Sequence, residues 1–198
     1  MKTVLGSSTV QEEKIDLEEQ ITLDFMDKFV IYPCEESSTP GFLEHLPCLF
    51  REVNVKGRYA LRWAVQASAF ADISKSQNKR DFATKALEYY GNSLVALEKS
   101  LGKEGKEPDD YDLMTVVMLD IFEVRLISLV TPYSPCHPGQ LTSIKSVYLP
   151  DQKQSGSHAQ GMAHILRLRG YEQFHEPRGW GLFRVAHHRL VSVSLLIE

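Results

Sequence analysis

Cysteine is scarce in this sequence. Only Cys34, Cys48 and Cys136 occur among the 198 residues, which is too few and too scattered for a disulfide framework. No two of them form the C-x-x-C pair that commonly holds zinc, so this sequence contains no zinc-cluster DNA-binding module. We therefore expect a reducing environment and no structural metal.

Excess positive charge is also lacking. Lys and Arg number 22 against 26 Asp and Glu, which gives a formal net charge of −4. Nonspecific DNA affinity depends on Lys and Arg neutralising phosphates, so we expect no direct DNA binding by this chain.

The sequence contains no uninterrupted apolar run of membrane-spanning length. The longest apolar stretch, residues 113–130, is interrupted by Asp120, Glu123 and Arg125, which are costly inside a bilayer. The first twenty residues have neither the basic start nor the apolar stretch of a secretion signal. We therefore predict no membrane association and interpret residues 113–130 as a core helix.

The sequence does contain repeated helical periodicity. Apolar residues make up 43% of the chain and charged residues 24%, as in ordinary globular domains. Apolar side chains recur at steps of three and four, which predicts amphipathic helices. The predicted helices cover residues 17–31, 41–50, 59–74, 81–101, a segment after 109, 158–170 and 180–197. The expected fold is all-α, an antiparallel bundle of six or seven helices over residues 17–198, preceded by an N-terminal arm of residues 1–16.

Local signals mark the helix ends. Pro33 ends the first helix, and Pro47 is expected to interrupt or kink the second. Gly102 and Gly170 stand where a left-handed residue commonly closes a helix. Asp109 is predicted to cap the helix that follows it.

A long break separates the last two helices from the others. Residues 131–156 contain four prolines, which predicts one long proline-rich loop. Ser157 and Gln160 then have the spacing of a capping box, so the next helix should start at His158.

Two acids on the apolar helix require an explanation. Asp120 and Glu123 must be neutralised, exposed at an edge or matched to a cation. We predict a structural ion pair between Glu123 and either Arg167 or Arg169. The alternative is that both acids face a hydrated seam and need no partner.

Three aromatic residues are candidates for a binding pocket. Trp63, Phe70 and Tyr90 are expected to line a space between helices that accepts a small molecule. The alternative is core packing, which is the usual role of aromatic residues at helical spacing.

No pattern in the sequence indicates catalysis. His158 and His164 lie six residues apart, so their side chains diverge around a helix and do not bind one metal. Cys136 and His137 are adjacent, but no oxyanion donor accompanies them. We therefore assign no catalytic, cofactor-binding or metal-binding residue, and binding is favoured over catalysis.

The C-terminal third is more basic than the N-terminal helix. This polarity predicts docking of a protein partner or a second copy of the chain, and the alternative is simple solvation of the charges. The residues concerned are Arg167, Arg169, Arg178, Arg184 and Arg189.

Three stretches, taken in order, carry a family resemblance. The first is ALRWAVQASAFAD followed by ATKALEYYGNSLVALEKSL, the second is DDYDLMTVVMLDIFEVR, and the third is HAQGMAHILRLRG. Together with the tail GLFRVAHHRLV they resemble the fungal-specific transcription factor domain, the effector region that follows binuclear zinc clusters. The resemblance covers about residues 17–198.

This resemblance implies a transcription-related regulatory domain in the nucleus. It would act through protein contacts or a small-molecule effector, without a DNA-binding module of its own. The six-cysteine cluster and the later helices of the family are missing from the sequence, and the final helix is still apolar at its end, so we expect a truncated domain. Two alternatives stay open: a degenerate regulator domain recruited as a small-molecule binder or secondary-metabolism enzyme, and an inert gene fragment. The alternative location is the cytoplasm.

Overall fold

The apolar periodicity of the sequence is realised as α-helix. The structure is a computed structural model that describes residues 8–33, 41–130 and 157–194. The α-helices of these residues are α1 (Ser8–Phe29), α2 (Leu46–Lys56), α3 (Tyr59–Gln77), α4 (Arg80–Leu101), α5 (Asp110–Val130), α6 (Ser157–Arg169) and α7 (Pro177–Ser194), with a 3-10 turn at Glu172–Phe174. Between these limits no strand forms, apart from an isolated bridge of Ile31 to Phe42. The prediction of an all-α helical bundle is confirmed.

Helix α3 lies at the centre and packs against α1, α2, α4 and α5. Its small side chains let the neighbouring helices approach closely. The hydroxyl of Ser68 donates a hydrogen bond to the backbone oxygen of Met118 on α5 at 3.2 Å. The hydroxyl of Ser93 on α4 donates a hydrogen bond to the backbone oxygen of Ala60 on α3 at 2.8 Å. The buried alanines of α3 are Ala60, Ala64, Ala67, Ala69 and Ala71.

Helix α5 is the second central element. Every residue from 111 to 122 is buried, on all sides of the helix, as expected of a helix enclosed by a bundle. Helices α6 and α7 cover its outer side. Over the described residues, no helix combines the length and the apolar character that crossing a bilayer requires.

The predicted caps are confirmed at two places and wrong at a third. The Asp109 carboxylate accepts hydrogen bonds from the backbone N–H groups of Tyr111 and Asp112 at 3.0 and 3.1 Å. Gly170 follows α6 with a φ of 57°. Gly102 is not left-handed, because its φ is −74° and its N–H continues the helical pattern to Glu98.

Several helix starts differ from the predictions. Helix α1 begins at Ser8, not at Leu17. Pro47 does not interrupt α2 but lies in its first turn, where no backbone N–H is needed. Helix α7 begins at Pro177 instead of Trp180, because proline is equally well accommodated at the first position of a helix.

The start of α6 lies close to its predicted position. Helix α6 begins at Ser157, one residue before the predicted His158. The predicted proline-rich loop of residues 131–156 and the end of the last helix at residue 197 lie outside the described residues.

Candidate functional site

A network of arginines and carboxylates joins α6 and α7 to the rest of the bundle. Arg169 Nη2 lies 2.5 Å from Asp110 Oδ1, and Arg178 Nε donates to Asp110 Oδ2 at 2.7 Å. Arg178 Nη1 also lies 3.7 Å from Glu52 Oε1 on α2. Partial burial works against the charge of Arg178, but Asp110 and Glu52 raise the pKa of its guanidinium above the ordinary value.

Two further arginines of α7 are held in the same way. Arg184 Nη2 donates to Glu44 Oε1 at 2.9 Å. Arg189 reaches the buried Asp120 with two nitrogens, Nη2 at 2.6 Å and Nε at 2.7 Å from Oδ2. Asp120 is thus neutralised by Arg189, a partner that no local sequence pattern indicates.

These pairs involve most of the positive charge of the C-terminal third. Four of its five arginines bind carboxylates within the chain, so they do not form an uncompensated positive surface. The fifth, Arg167, is exposed. These ion pairs join α7 and the end of α6 to the rest of the bundle, and docking of a partner on this charge stays a prediction.

The predicted pair between Glu123 and Arg167 or Arg169 is wrong. Glu123 Oε1 accepts a hydrogen bond from the Tyr90 hydroxyl at 2.7 Å and lies 3.0 Å from His158 Nε2. Arg169 is turned toward Asp110, at the other end of α6 from His158. Burial, followed by the charge of Glu123, raises the pKa of the Tyr90 hydroxyl well above its ordinary value, so Tyr90 remains a neutral donor.

The candidate pocket residues take part in three separate ring contacts. Trp63 lies beside Tyr59 with ring centroids 6.0 Å apart. Phe70 is buried and meets Tyr89 edge to face at 5.4 Å. The third, Tyr90, stacks on a phenylalanine of α5. Neither cavity described below is lined by Trp63, Phe70 or Tyr90.

A charged cleft of about 320 Å³ lies where the start of α5, the end of α6, the 3-10 turn and the start of α7 meet. Arg169 and Arg178 line it together with five carboxylates. Arg169 Nε and Gln173 Oε1 are buried there and have no hydrogen-bond partner in the described part of the chain. One donor and one acceptor together match an amide, a hydroxyl or a water molecule. The carboxylates are those of Glu107, Asp109, Asp110, Glu172 and Glu176.

A smaller apolar cleft of about 240 Å³ lies near the end of α1. Its only charged lining residue among those described is Arg189, which Asp120 already neutralises. The other described lining residues are Phe25, Phe29, Phe42, Leu43, Ile121 and Val124.

A continuous set of rings, called the aromatic face below, runs along the outside of the 3-10 turn and α7. It consists of Tyr171, Phe174, Trp180, Phe183 and His187. Phe183 is its centre: Phe174 meets Phe183 edge to face at 4.9 Å, and Trp180 stacks on it at 5.6 Å with an interplanar angle of 18°. His187 stacks on the same ring at 5.6 Å. Tyr171 is 83% exposed and Trp180 47% exposed, so the aromatic face presents large apolar surface to solvent.

Two glycines bring α7 close to its neighbours and so position the aromatic face. A Cβ at Gly179 would lie 2.1 Å from the backbone oxygen of Gln173 in the 3-10 turn. A Cβ at Gly181 would lie 2.2 Å from His45 Nε2. The contact at Gly179 requires glycine, because it is made with backbone atoms, whereas a side chain at Gly181 would require the His45 ring to move.

Sequence reasoning missed the aromatic face, although a signal was present. Four of the thirteen residues 171–183 are aromatic, against 10% in the whole chain. In the described residues no group of His, Cys, Asp and Glu is arranged to hold a metal ion. Aromatic side chains with one side in solvent are typical of protein interfaces.

Compared with protein-family models, curated proteins and solved structures, the chain matches none of them.

Proposed function

We propose that this chain is a transcription-related regulatory domain that acts through protein contacts made by its aromatic face. The observation that carries the proposal is a set of five contiguous rings on one side of the molecule, of which Tyr171, Trp180 and His187 are exposed. Contiguous apolar surface that is exposed and bordered by polar residues often marks a site of association. In this proposal the domain has no DNA-binding module of its own.

The arrangement of the family-like stretches supports the regulatory part of the proposal. The stretches that resemble the fungal-specific transcription factor domain lie on α3 and α4, on α5, and on α6. These helices pack on one another as the central unit of the bundle. Helix α7, which carries most of the aromatic face, packs on this unit through α5 and α6. The bundle therefore serves as a scaffold for a contact surface, and the nucleus is the location that this role implies.

The distribution of charge supports the absence of DNA binding. Arg169, Arg178, Arg184 and Arg189 are held by carboxylates of the same chain and are not free to neutralise phosphates. Affinity for DNA depends on such neutralisation. We therefore expect promoter contact only through another protein.

The test is a transcriptional reporter. The chain is fused to an unrelated DNA-binding domain whose sites control the reporter, and Trp180→Glu is compared with Val95→Glu. Val95 is an exposed apolar residue on α4, 67% exposed, so it controls for a new surface charge. We expect Trp180→Glu to abolish the change in reporter output and Val95→Glu to leave it intact. A wild-type fusion without any effect on the reporter would refute the proposal.

The charged cleft favours a second candidate function, small-molecule binding. The unpartnered Arg169 Nε and Gln173 Oε1 at the cleft are the specific observation. A ligand with an amide or hydroxyl group would satisfy both atoms, and the carboxylates of the cleft favour a positive charge on it. We expect such a ligand, tested first as argininamide, to raise the melting temperature of the wild type but not of Gln173→Leu. An equal rise in both proteins, or none in either, would eliminate this candidate.

A further inference from the structure

We infer that the protein bound by the aromatic face presents a basic segment, of which one arginine or lysine enters the charged cleft while neighbouring apolar side chains cover the exposed rings. The inference rests on the proposed function, because it names the chemistry of the partner. It follows from the shared border of the cleft and the face, from the excess of carboxylates at the cleft, and from two buried polar side chains there.

The charged cleft and the aromatic face share one border, the 3-10 turn and the first turn of α7. Gln173 and Gly179 line the cleft, and their neighbours in the chain, Phe174 and Trp180, belong to the aromatic face. The rings of Phe174 and Trp180 meet edge to face, with centroids 5.5 Å apart. Because the Cα atoms of consecutive residues are only about 3.8 Å apart, one short segment of a partner reaches both surfaces.

The cleft carries more negative than positive charge. Five carboxylates and two guanidiniums line it, which is an excess of three negative charges. Both guanidiniums bind Asp110. Asp109 forms an ion pair with Arg58 and lies 3.8 Å from Lys106 Nζ. Asp109 and Asp110 are therefore compensated within the chain.

The other three carboxylates of the cleft belong to exposed residues. Glu172 Oε2 lies 3.1 Å from Nδ1 of the exposed His175. The carboxylates of Glu107 and Glu176 make no hydrogen bond or ion pair within the part of the chain that the structure describes. Charge complementarity steers association and selects the partner, so these acids favour a cation supplied from outside the chain.

Two buried side chains at the cleft have unused hydrogen-bonding capacity. Gln173 is 8% exposed, and its amide nitrogen donates to the backbone oxygens of Leu166 and Gly170 at 3.1 and 2.7 Å. The amide is thereby oriented, and its Oε1 has no donor among the described residues. The Arg169 side chain is 9% exposed, and its Nε likewise lacks an acceptor there. A basic segment supplies both groups, since its cationic side chain donates and its backbone carbonyl accepts.

A metal ion fits these observations less well than a basic segment. In the described residues no group of His, Cys, Asp and Glu is arranged to hold one, and a metal would meet the two guanidiniums of the cleft. An arginine or lysine also has an apolar stem, which packs against rings such as that of Trp180. The cleft volume of about 320 Å³ is at the lower end of ligand sites, about 300–1,000 Å³, and so fits one long side chain.

The experiment is selection of peptides from a random display library on the immobilised full chain. We expect the selected peptides to be enriched in Arg and Lys next to apolar residues, relative to the unselected library. Fluorescence anisotropy then measures labelled synthetic copies of them. Replacing the basic residue of a peptide with glutamine should weaken binding at least about tenfold, a change of about 1.4 kcal/mol. Selection of no binding peptide, or of peptides without this enrichment, would overturn the inference.

Charge reversal at the cleft tests where the basic residue binds. Glu176→Lys and Glu107→Lys should each weaken binding of the selected peptides at least about tenfold. Glu19→Lys changes the net charge equally at an exposed position of α1 and should leave binding intact. Equal weakening by all three variants would indicate nonspecific attraction to the net charge and would overturn the inference, as would binding that none of them affects. Circular dichroism verifies the fold of each variant.

The variant Trp180→Glu separates this inference from the proposed function. Selected peptides that require Trp180 but contain no basic residue would mean that the aromatic face binds a partner of different chemistry. The inference would then fail, while the proposed function would stand. Basic peptides that require both Glu176 and Trp180, together with a wild-type fusion that has no effect on the reporter, would support the inferred contact and refute its regulatory role.

Discussion

Asp120 lies in the apolar middle of α5 and is only 5% exposed. Two nitrogens of Arg189 bind the same carboxylate oxygen, Oδ2. Removing one partner of a buried pair leaves the other charge uncompensated, which typically costs about 3–5 kcal/mol. We therefore expect Asp120→Asn to lower the free energy of unfolding by about 3 kcal/mol, measured by urea denaturation.

The control for this prediction is an exposed pair. His175 Nδ1 lies 3.1 Å from Glu172 Oε2, and both side chains are largely exposed. Glu172→Gln should change the free energy of unfolding by less than about 0.5 kcal/mol, because exposed ion pairs contribute little. Equal effects of the two substitutions would show that Asp120 is hydrated in solution and not buried against Arg189.

Asp112 is a second buried acid, at the first turn of α5. Burial alone would raise its pKa, but hydrogen bonds from Lys106 Nζ and Ser100 Oγ, both 2.7 Å long, lower it below the ordinary 3.8. The carboxyl therefore binds protons less readily when folded than when unfolded. Its stabilising contribution is complete above about pH 4 and is lost as the pH falls through the folded-state pKa.

We expect Asp112→Asn to destabilise the protein at pH 7 by about 2 kcal/mol, since it breaks a charge-assisted network. The difference between wild type and variant should shrink as the pH falls below about 4. Urea denaturation at a series of pH values from about 7 to about 3 measures both quantities. A difference that stays constant over this series would contradict the assigned role of the carboxylate.

At the scale of an element, the first turn of α7 lies very close to the backbone of the 3-10 turn at Gln173. Gly179→Ala would place a Cβ 2.1 Å from the backbone oxygen of Gln173, so the helix start must move away from the 3-10 turn. We expect destabilisation of about 1–3 kcal/mol, the usual cost of overpacking, and altered fluorescence of Trp180. Both are measured in one urea titration.

The matched substitution is Gly91→Ala on α4. Gly91 is exposed, and a Cβ there would have no atom within 4 Å. Because glycine disfavours helix interiors, this change should stabilise the protein by about 0.5–1 kcal/mol. Opposite signs for the two glycines are the expected outcome, and destabilisation by both would mean that α4 is more crowded than the structure indicates.

The small side chains of α3 set the spacing of the central helices. Ala67 is fully buried, so Ala67→Leu must separate α3 from its neighbours. We expect a loss of about 1–3 kcal/mol in thermal or urea unfolding. Asn92→Leu adds an apolar side chain at an exposed position of α4 and should leave stability almost unchanged. A tolerated Ala67→Leu would show that the core around α3 contains unfilled space.

At the scale of the whole molecule, sequence periodicity predicted the helices because burial of one side requires steps of three and four. Asp109 and Gly170 were predictable as caps because their contacts lie within a few residues. Gly102 was not, because the conformation of a helix end depends on the loop after it; here Gly105 takes the left-handed conformation, with a φ of 74°. Pro47 was misinterpreted because its effect depends on whether the helix has already begun.

The partners of charged residues were much harder to predict. The need of Asp120 and Glu123 for partners follows from the apolar character of their helix. Which cation meets which acid depends on how α6 and α7 are rotated against α5, and no local pattern specifies this rotation. Arg189 therefore reached Asp120, while His158 reached Glu123. The sequence shows that residues 171–183 are rich in aromatic side chains. It does not show which of these side chains remain exposed, because exposure depends on how the helices pack.

The two tryptophans of the chain lie in different surroundings, and this has an experimental consequence. Trp63 lies on α3 beside Tyr59, whereas Trp180 belongs to the aromatic face. Replacing Trp63 with Phe would leave Trp180 as the single indole emitter. Indole emission moves to shorter wavelength when the ring loses contact with water. The emission wavelength of Trp180 would thus report whether a partner covers the aromatic face, and binding can be followed in solution without an attached dye.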